Sequence, residues 1–346
     1  MRIFAAGGAG FIGSNFIHYM LGNHEDVSIR NFDNLTYAGN LQNLTGVEED
    51  PRYSFVKGDV SNVDAVDESL SKQFDVVINF AAESHVDRSI EEPTLFARTN
   101  VLGTTVLLHI ARNKKIPLFL QISTDEVYGS LGKEGYFSED TPLAPNSPYA
   151  ASKASGDLVV RSFYKTYKYP VIVTRCSNNF GPYQFPEKLI PLFITNALED
   201  KPLPLYGDGL NIRDWIHVTD HCEAIDMIIR KGIPGEVYNI GGEQERSNIE
   251  ITRLILEILG KPQSLIRFVE DRLGHDRRYA MDISKIRKEL GFSPRADFSG
   301  ALEETVQWYR DNETWWRNVK SGEYIQYYQK IYGKKLGKEE GPHSGG

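Results

Sequence analysis

Short apolar runs alternate with segments of helical periodicity along the first half of the chain. The runs that predict β-strands are Arg2–Ala6, Val27–Phe32, Tyr53–Lys57, Asp75–Phe80, Pro117–Ile122 and Val171–Arg175. The segments that predict helices lie between them, near Phe11–Leu21, Val63–Lys72, Pro93–Asn113 and Tyr149–Tyr167. Because strands separated by helices are typical of βαβ units, we expect an α/β fold with a doubly wound parallel sheet. Its ligand crevice should lie at the carboxyl ends of the strands.

The texture of the sequence changes after about Asn178. Prolines become frequent there, and short strand-like runs at Ile212–Val218 and Val237–Ile240 are mixed with helical segments. We interpret this region as a smaller α/β domain that caps the crevice and binds the substrate. The expected division is a first domain at 1–178, a second at 179–332 from which the chain can return to the first, and a polar, disordered tail at 333–346.

Composition narrows the classes of function. The 346 residues carry a formal net charge of -8, and this acidic balance argues against a nucleic-acid partner. No apolar run approaches the length of a membrane span, so we expect no membrane association. The N-terminal apolar run breaks at glycines too early for a signal peptide, and Cys176 and Cys222 lack the spacing of a metal or redox motif. We therefore expect a protein of the reducing cytoplasm.

A glycine-rich turn follows the first predicted strand and opens the first predicted helix. Its candidate cofactor contacts are Gly7, Gly10, Phe11, Ile12 and Gly13. Glycines at this place permit a tight turn and let backbone N–H groups approach a pyrophosphate at the helix N-terminus. Asp33 ends the second strand, 20 residues beyond Gly13. A carboxylate there accepts hydrogen bonds from ribose hydroxyls and repels a 2′-phosphate.

The order of strand, glycines, helix and acid predicts a Rossmann-type domain that binds NAD rather than NADP. Asp33 and Asn34 are candidate cofactor contacts, although the same pair is also typical of a polar turn. Asp59 follows the third strand and could reach the adenine edge. A turn aspartate explains it nearly as well.

A tyrosine and a lysine stand four residues apart in the helix predicted at Tyr149–Tyr167. Tyr149 and Lys153 therefore share one helical face, with Cβ atoms roughly 6 Å apart. A phenol is a poor base at its ordinary pKa, but a nearby ammonium and a positive nicotinamide both favour the phenolate. Lys153 can also hold the nicotinamide ribose. An isolated pair of this kind is more typical of a helix surface.

A second cluster accompanies that pair. Thr124, Asp125 and Glu126 follow the fifth predicted strand, at the edge of the sheet where chemistry is expected. Two adjacent carboxylates are costly in a purely structural role and make sense as an acid and a base with separate tasks. The alternative is an acidic surface turn. We predict that the catalytic residues are these three together with Tyr149 and Lys153.

Gly7–Gly13, Ser123–Gly129 and the Tyr149/Lys153 pair resemble the extended short-chain dehydrogenase/reductase superfamily. Within it, the chain is similar to the bacterial dTDP-glucose 4,6-dehydratases from Met1 to about Trp316. The stretches that carry this similarity are Asp33–Asn40, Ala81–Ser89, Arg175–Pro182, Phe185–Pro191, Gly207–Gly209, Arg213–Trp215 and Asp271–Asp276. One departure is Ala6, where the family usually has threonine.

The resemblance implies an NAD-dependent lyase that converts dTDP-glucose to dTDP-4-keto-6-deoxyglucose and water. Tyr149 takes the C4 hydroxyl proton while hydride passes from C4 to NAD, and Thr124 binds the C4 oxygen. Glu126 then removes the C5 proton, and Asp125 protonates the departing C6 hydroxyl. Hydride then returns to C6 and a proton to C5, so the cofactor ends as NAD.

The resemblance also implies binding residues and an assembly. It places Val60, Ala81, Ala82 and Asn100 near the cofactor. For the sugar nucleotide it implies Ser84, Asn178, Lys188, Leu189, Arg213, Asn248, Arg272 and His275. It suggests a homodimer formed through the helices at Pro93–Asn113 and Tyr149–Tyr167. No metal site is expected, because His217 ends a strand-like run and does not share a helical face with His221.

Three other functions stay open at this level. A UDP-glucose 4,6-dehydratase uses the same mechanism, and only the resemblance separates it from the thymidine enzyme. A UDP-hexose 4-epimerase uses the same tyrosine, lysine and cofactor but needs neither a C5 base nor a C6 acid, so Asp125 and Glu126 argue against it. A non-catalytic NAD-binding regulatory protein would have no use for all five catalytic candidates.

Overall fold

The structure is a computed structural model that describes residues 1–321 and 323–336. The strands are β1 Arg2–Ala6, β2 Ser28–Asp33, β3 Tyr53–Lys57, β4 Val76–Asn79, β5 Leu118–Thr124, β6 Val171–Cys176, β7 Asn178–Phe180, β8 Leu203–Tyr206, β9 Ile212–His217, β10 Val237–Ile240, β11 Glu245–Ser247 and β12 Ile266–Val269. The α-helices are α1 Phe11–Asn23, α2 Val63–Ser69, α3 Val86–Glu91, α4 Pro93–Phe96, α5 Thr104–Asn113, α6 Pro148–Tyr167, α7 Leu189–Leu198, α8 Val218–Lys231, α9 Asn248–Leu259, α10 Ser284–Leu290, α11 Phe298–Asp311, α12 Glu313–Val319, α13 Glu323–Tyr328 and α14 Lys334–Leu336. Short 3-10 helices lie at Leu41–Leu44, Asp125–Tyr128 and Gln263–Leu265, and π-helical segments at Ala97–Gly103 and Gln329–Gly333.

Seven parallel strands form the central sheet, in the order β10-β6-β5-β4-β1-β2-β3. Side chains of β1 alternate between two buried clusters: Ile3 and Ala5 belong to one, Phe4 and Ala6 to the other. This period of two places apolar residues on both faces of the sheet, because helices cover both faces. The expected doubly wound α/β fold is confirmed.

The strand order reverses between β1 and β4, which defines the switch point of the sheet. Loops that leave the carboxyl ends of strands on either side of such a point open a crevice between them. The glycine turn after β1 and the Ala81–Ser84 loop after β4 therefore face one another, and the turn after β5 is next along the same edge.

The strand at Val237–Ile240 lies in the central sheet, where β10 pairs with β6. The sequence pattern groups this run with the smaller domain, while it allows the chain to return to the first. A short run of three apolar residues and one asparagine predicts a strand but does not say which sheet it joins. The chain thus returns to the first fold unit after residue 179, and helix α8 packs against α1. The domain limits themselves stay a prediction.

The smaller part of the fold is built on a second apolar cluster. It contains two small sheets, β11-β9-β7 and β12-β8, with helices α7, α9, α11 and α12. Trp315 and Trp316 are adjacent in the sequence, and both are buried in this cluster, where they pack against its apolar side chains. No helix in the described ranges is both long and apolar enough to cross a membrane.

Two segments differ from the sequence expectation. The predicted helix at Pro93–Asn113 is interrupted by the π-helical segment Ala97–Gly103, which aims Asn100 into the interior. Such segments leave no signal in hydrophobic periodicity, and they are frequent at functional sites. The predicted tail begins too early, because residues 333–336 still belong to helical elements. Residues 337–346 lie outside the described residues.

Candidate active site

The glycine turn after β1 is shaped by backbone contacts that exclude side chains. A Cβ on Gly7, at φ +82°, would lie 2.4 Å from the Ala81 nitrogen, and one on Gly13 would lie 2.4 Å from the Gly7 oxygen. Around Gly10 the space is open, and its nearest neighbour would be 3.5 Å away. Gly7 and Gly13 therefore allow the close packing of the turn, whereas Gly10 keeps the mouth of the cleft clear.

Helix α1 begins at this turn with a free positive end. Among the described residues, no side chain caps its N-terminus, and its first turn contains no acidic residue. Its first N–H groups and the helix dipole are thus available to an anion in the cleft. A dinucleotide pyrophosphate fits this cradle, because it needs both the backbone donors and the space that Gly10 leaves open.

The acid at the end of β2 is held by the backbone. Asp33 accepts hydrogen bonds from the N–H of Ala9 at 2.9 Å and from that of Leu35 at 2.8 Å. Burial raises the pKa of Asp33, while those two donors oppose the shift. Asp33 therefore ties the glycine turn to the loop after β2. Its contact with a ribose stays a prediction.

The predicted cofactor residues fall into two groups, according to whether they line the cleft. Those that line the cleft are Gly7, Gly10, Phe11, Ile12, Gly13, Ala82, Tyr149 and Lys153. Those that do not line it are Asp33, Asn34, Asp59, Val60, Ala81 and Asn100. Asp59 accepts hydrogen bonds from Ser61 and lies 3.3 Å from the Arg98 guanidinium, as a turn aspartate does. Asn100 is buried and bridges the Glu83 backbone to the Ser152 hydroxyl.

The turn after β5 places three predicted catalytic residues at the wall of the cleft. Thr124 caps the 3-10 turn, and its hydroxyl accepts from the Glu126 N–H and donates to Asp125 at 3.2 Å. The second carboxyl oxygen of Asp125 is buried and has no hydrogen-bond partner among the described residues. Burial, and then the neighbouring Glu126 carboxylate, raise the pKa of Asp125 well above its usual value. Both influences favour the protonated form, in which a carboxyl group can act as an acid.

Tyr149 and Lys153 face this turn from helix α6. The Tyr149 side chain is 8% exposed, and burial raises the pKa of its phenol well above the usual value, with Glu126 adding to the rise. Lys153 donates to the Ile122 carbonyl oxygen at 2.7 Å, and burial lowers the pKa of its ammonium group. The expected preference for phenolate is therefore not met by the lysine alone. A further positive charge must be brought to the ring.

The eight predicted substrate-binding residues all line the same cleft, which has a volume of about 350 Å³. Arg213, from β9, is buried and donates to the backbone oxygens of Ile212 and Asp276 at 2.7 and 2.9 Å. Its guanidinium lies 4.2 Å from the centre of the Tyr279 ring. Lys188, which also lines the cleft, donates to the Ser84 oxygen at 2.7 Å. The lining of the cleft thus contains positive groups from distant parts of the chain.

The loop after β12 adds two more side chains to the lining of the cleft, Arg272 and His275. The Nε atom of Arg272 is buried without a hydrogen-bond partner among the described residues. His275 lies 2.6 Å from Asp271, and burial together with Arg272 lowers its pKa to about 4. His275 is therefore neutral at physiological pH. The unsatisfied buried donor of Arg272, with Arg213 as a second cation of the same cleft, is suited to a diphosphate.

The cleft is also lined by residues that the sequence did not single out, and four of them are Glu187, Tyr206, Tyr279 and Tyr332. Glu187 accepts from the Tyr37 hydroxyl at 2.9 Å, and burial raises its pKa to about 7. Three of the four lie within or beside motifs that carry the family resemblance, so their neighbours were a signal. Tyr332 had none, because it comes from a C-terminal helix far along the chain.

The two histidines that were considered as metal ligands, His217 and His221, have different structural roles. His217 precedes helix α8 and caps it, accepting from the Thr219 N–H at 3.4 Å, whereas His221 is fully buried beside Asn179. Within the described residues, no group of three potential ligands stands ready for a metal ion.

Fold and cleft together define a class. A doubly wound sheet with a glycine turn after β1, a hydroxyl–acid turn after β5 and a buried Tyr–Lys pair on the next helix is an extended short-chain dehydrogenase/reductase. A family model described as GDP-mannose 4,6 dehydratase matches residues 4–305.

Individual relatives narrow this class. The chain is 49% identical to a dTDP-glucose 4,6-dehydratase of Streptomyces niveus over 325 residues, which cover 93% of this chain and 96% of that one. DesIV, the dTDP-glucose 4,6-dehydratase of Streptomyces venezuelae solved with NAD and thymidine diphosphate (TYD) bound, matches with 49% identity and a TM-score of 0.90, over 92% of this chain and 100% of that one. A dTDP-glucose 4,6-dehydratase of Bacillus anthracis str. Ames in complex with NAD matches with 54% identity and a TM-score of 0.86, over 92% and 100%. The chain belongs to the dTDP-glucose 4,6-dehydratase family.

Proposed function

We propose that this chain converts dTDP-glucose to dTDP-4-keto-6-deoxyglucose and water with bound NAD, as a lyase. The observation that carries the proposal is the meeting of two machineries in one cleft. The Tyr149–Lys153 pair is suited to oxidation of an alcohol, and Asp125 and Glu126 lie beside it on the turn after β5. An acid and a base next to an oxidation site are what elimination of water requires.

Different residues of the cleft carry out the separate proton transfers of the reaction. Tyr149 removes the proton of the C4 hydroxyl, and Thr124 holds the C4 oxygen through its hydroxyl. A ketone at C4 acidifies the C5 proton, which Glu126 removes. Asp125, whose burial favours the protonated form, gives a proton to the C6 hydroxyl, and water departs.

The cofactor cradle fits NAD. The Gly7–Gly13 turn and the open N-terminus of α1 would hold the pyrophosphate, and Lys153 would hold the nicotinamide ribose. When bound, NAD would supply the hydride acceptor for the sugar C4 and the hydride donor for C6, and a proton returns to C5 with that hydride. The positive ring of NAD would also supply the charge that Tyr149 needs to ionise.

Asp125 and Glu126 decide against the nearest alternative. A UDP-hexose 4-epimerase oxidises and reduces the same carbon and needs no group to protonate a leaving hydroxyl. Asp125, a buried carboxyl group whose surroundings favour the protonated form, would be an unused acid in such an enzyme. UDP-glucose remains the competing substrate of a dehydratase, and the test below separates it.

The test is a mass-spectrometric assay of the purified chain with dTDP-glucose and, in parallel, UDP-glucose, without added NADH. We expect a product lighter by one water from dTDP-glucose and much less from UDP-glucose. Equal conversion of both would overturn the thymidine preference. No loss of water from either would overturn the dehydratase, and an isobaric 4-epimer would establish the epimerase in its place.

The unsatisfied donor of Arg272 gives a prediction for substrate binding. In Arg272→Ala, we expect thymidine diphosphate to bind about tenfold to a hundredfold more weakly, because a charge-assisted hydrogen bond to the diphosphate is lost. Isothermal titration calorimetry measures this directly. The neighbouring Arg277, which is 53% exposed and paired with Asp208, is the control, and Arg277→Ala should bind as the unmodified chain does. Equal affinities of both variants would remove Arg272 from the diphosphate site.

We also propose that the chain is a homodimer that works in the cytoplasm. The face formed by α6 and the segment before α5 exposes apolar side chains, with Leu102 at 49%, Leu158 at 55% and Tyr167 at 52% exposure. Exposed apolar residues grouped on two neighbouring helices are typical of a protein interface. A second copy of the same face would cover them, as a twofold interface does.

Leu158→Glu tests this dimer. We expect a carboxylate at the centre of the face to raise the dimer dissociation constant at least about tenfold. Light scattering coupled to size exclusion measures the change in mass. Phe268→Glu, at a position 55% exposed on β12 in the smaller part of the fold, should leave the mass unchanged. A monomeric unmodified chain would contradict the proposal outright.

A further inference from the structure

A buried ion pair lies directly beneath the catalytic residues. Arg175, on β6, donates through Nε to the Asp157 carboxylate at 3.0 Å, and both side chains are at most 8% exposed. Asp157 lies on helix α6, four residues after Lys153 and eight after Tyr149. The three side chains therefore form one row along the helix, with the acid at its inner end.

The same arginine reaches the catalytic turn. Its Nη1 donates to the Tyr128 hydroxyl at 3.0 Å, and that hydroxyl donates to Asn239 at 2.7 Å. Tyr128 is the last residue of the 3-10 turn that begins with Asp125. Three hydrogen bonds thus link helix α6, strand β6, strand β10 and the catalytic turn into one buried network.

The charges of this network act on the catalytic lysine, in addition to the packing that the network provides. Asp157 is the carboxylate that acts on Lys153, opposing the loss of charge that burial imposes on the ammonium group. Without that carboxylate, the buried ammonium group would lose the largest charge that opposes its desolvation. Two buried cations and one buried anion leave one positive charge, which a phenolate at Tyr149 would balance.

We infer that Asp157, held in place by Arg175, is a positioning residue for the reaction: it keeps Lys153 charged under Tyr149 and fixes helix α6 to the catalytic turn. Neither residue touches the reacting atoms, since neither lines the cleft. The inference rests on the proposed function, because its measure is the pH dependence of the dehydration.

Other charged and titratable groups act on Tyr149, Lys153, Arg175 or the catalytic turn, and they must stay constant in the test. They are Cys176 on β6, Asp125, Glu126 and Tyr128 on the catalytic turn, and Arg213 on β9, which acts on Asp125. Burial raises the pKa of the Cys176 thiol to about 12, so it is neutral over the working range. None of these groups is altered by a substitution at Asp157.

The test is the pH profile of kcat/KM in matched variants. Removal of a negative charge makes the proton of the Lys153 ammonium group easier to lose. In Asp157→Asn we therefore expect the alkaline limb to move to lower pH, with activity on that limb at least about threefold lower relative to the plateau. In Arg175→Met the carboxylate faces Lys153 alone, so the alkaline limb should move to higher pH. Asp157→Glu and Arg175→Lys keep the charges and should keep the profile.

A structural role alone would give a different result. It would lower the rate evenly at all pH values in both Asp157→Asn and Arg175→Met, with no opposite shifts, and that result would overturn the inference. Asp226→Asn removes a buried acid that pairs with His24 and Arg230 between α1 and α8. It should cost stability in thermal unfolding without moving the profile. If Asp157→Asn fails to fold, the comparison of Arg175→Met with Arg175→Lys decides.

The outcomes also separate this inference from the proposed function. If the unmodified chain does not dehydrate dTDP-glucose, the proposed function fails before any variant is made. If it does, and the alkaline limbs of the variants coincide with its own, only the role of Asp157 and Arg175 fails.

Discussion

Tyr149→Phe should lower kcat for dehydration by about a thousandfold, with the loss at the first oxidation. The substitution removes one oxygen and leaves the ring in its packing, where it lies 6.3 Å from Phe96 and is 8% exposed. The fold and the cleft should therefore persist. What disappears is the group that takes the C4 hydroxyl proton, so the sugar cannot become a ketone, and the later steps have no acidic C5 proton to remove.

Two measurements locate that loss. The absorbance of reduced nicotinamide should fail to rise when substrate is mixed with the variant, and substrate recovered from heavy water should carry no deuterium at C5. Tyr169→Phe is the control: this tyrosine is 5% exposed, and its hydroxyl has no hydrogen-bond partner in the described part of the chain. The control should turn over normally. Unchanged oxidation in Tyr149→Phe would remove Tyr149 from the role of base.

The sign of the pH dependence follows from the same phenol. Burial raises the pKa of Tyr149, and the base form is the ionised one, so kcat/KM should increase with pH until the phenol in the loaded enzyme has ionised. A bound positive ring moves that rise to lower pH. The sequence alone does not give this result, because the spacing of Tyr149 and Lys153 implies their proximity but not the depth of their burial.

The central fold was predictable because its strands are short, apolar and separated by helical periods. β1 and β3 have the predicted bounds, and the other early strands differ by one or two residues at their ends. The placement of β10 was not predictable, since a four-residue run such as Val237–Ile240 suits any sheet. Its partner is decided by where helix α8 brings the chain back, which is a property of tertiary packing.

The candidate site was predictable where its residues are adjacent in sequence. Motifs such as the Thr124–Glu126 turn contain their own geometry, and all five catalytic candidates line one cleft. Contacts between distant segments were not predictable. The wall that Tyr332 adds comes from a helix near the end of the chain, and the pair of Arg175 and Asp157 joins a strand to a helix. Hydrophobic patterning cannot reveal a pairing of two buried charges.

Glu126→Gln should separate oxidation from elimination. We expect dehydration to fall by about two to four orders of magnitude, while substrate still reduces the bound nicotinamide. The physical reason is the division of labour on the catalytic turn. An amide keeps the size of the side chain and its backbone hydrogen bond to Thr124, but it cannot accept the C5 proton. The oxidation depends on Tyr149 and should survive.

Deuterium exchange in heavy water makes the comparison specific. With Glu126→Gln, substrate recovered after oxidation and return of hydride should lack deuterium at C5. With Asp125→Asn, the base remains, so C5 should exchange while water is lost slowly, because the protonated carboxyl group that served the C6 hydroxyl is gone. Glu134→Gln, at an exposed position outside the cleft, is the matched control and should behave as the unmodified chain.

The pair of variants also tests which carboxyl group is the acid. Burial and the adjacent Glu126 both favour the protonated form of Asp125, whose second oxygen has no hydrogen-bond partner among the described residues. If the roles were reversed, Asp125→Asn would stop the C5 exchange and Glu126→Gln would keep it. If both variants exchanged C5 at the unmodified rate, neither carboxylate would be the base. The proton would then have to leave to another group of the cleft, and the division of tasks between these neighbours would be wrong although the dehydratase stood.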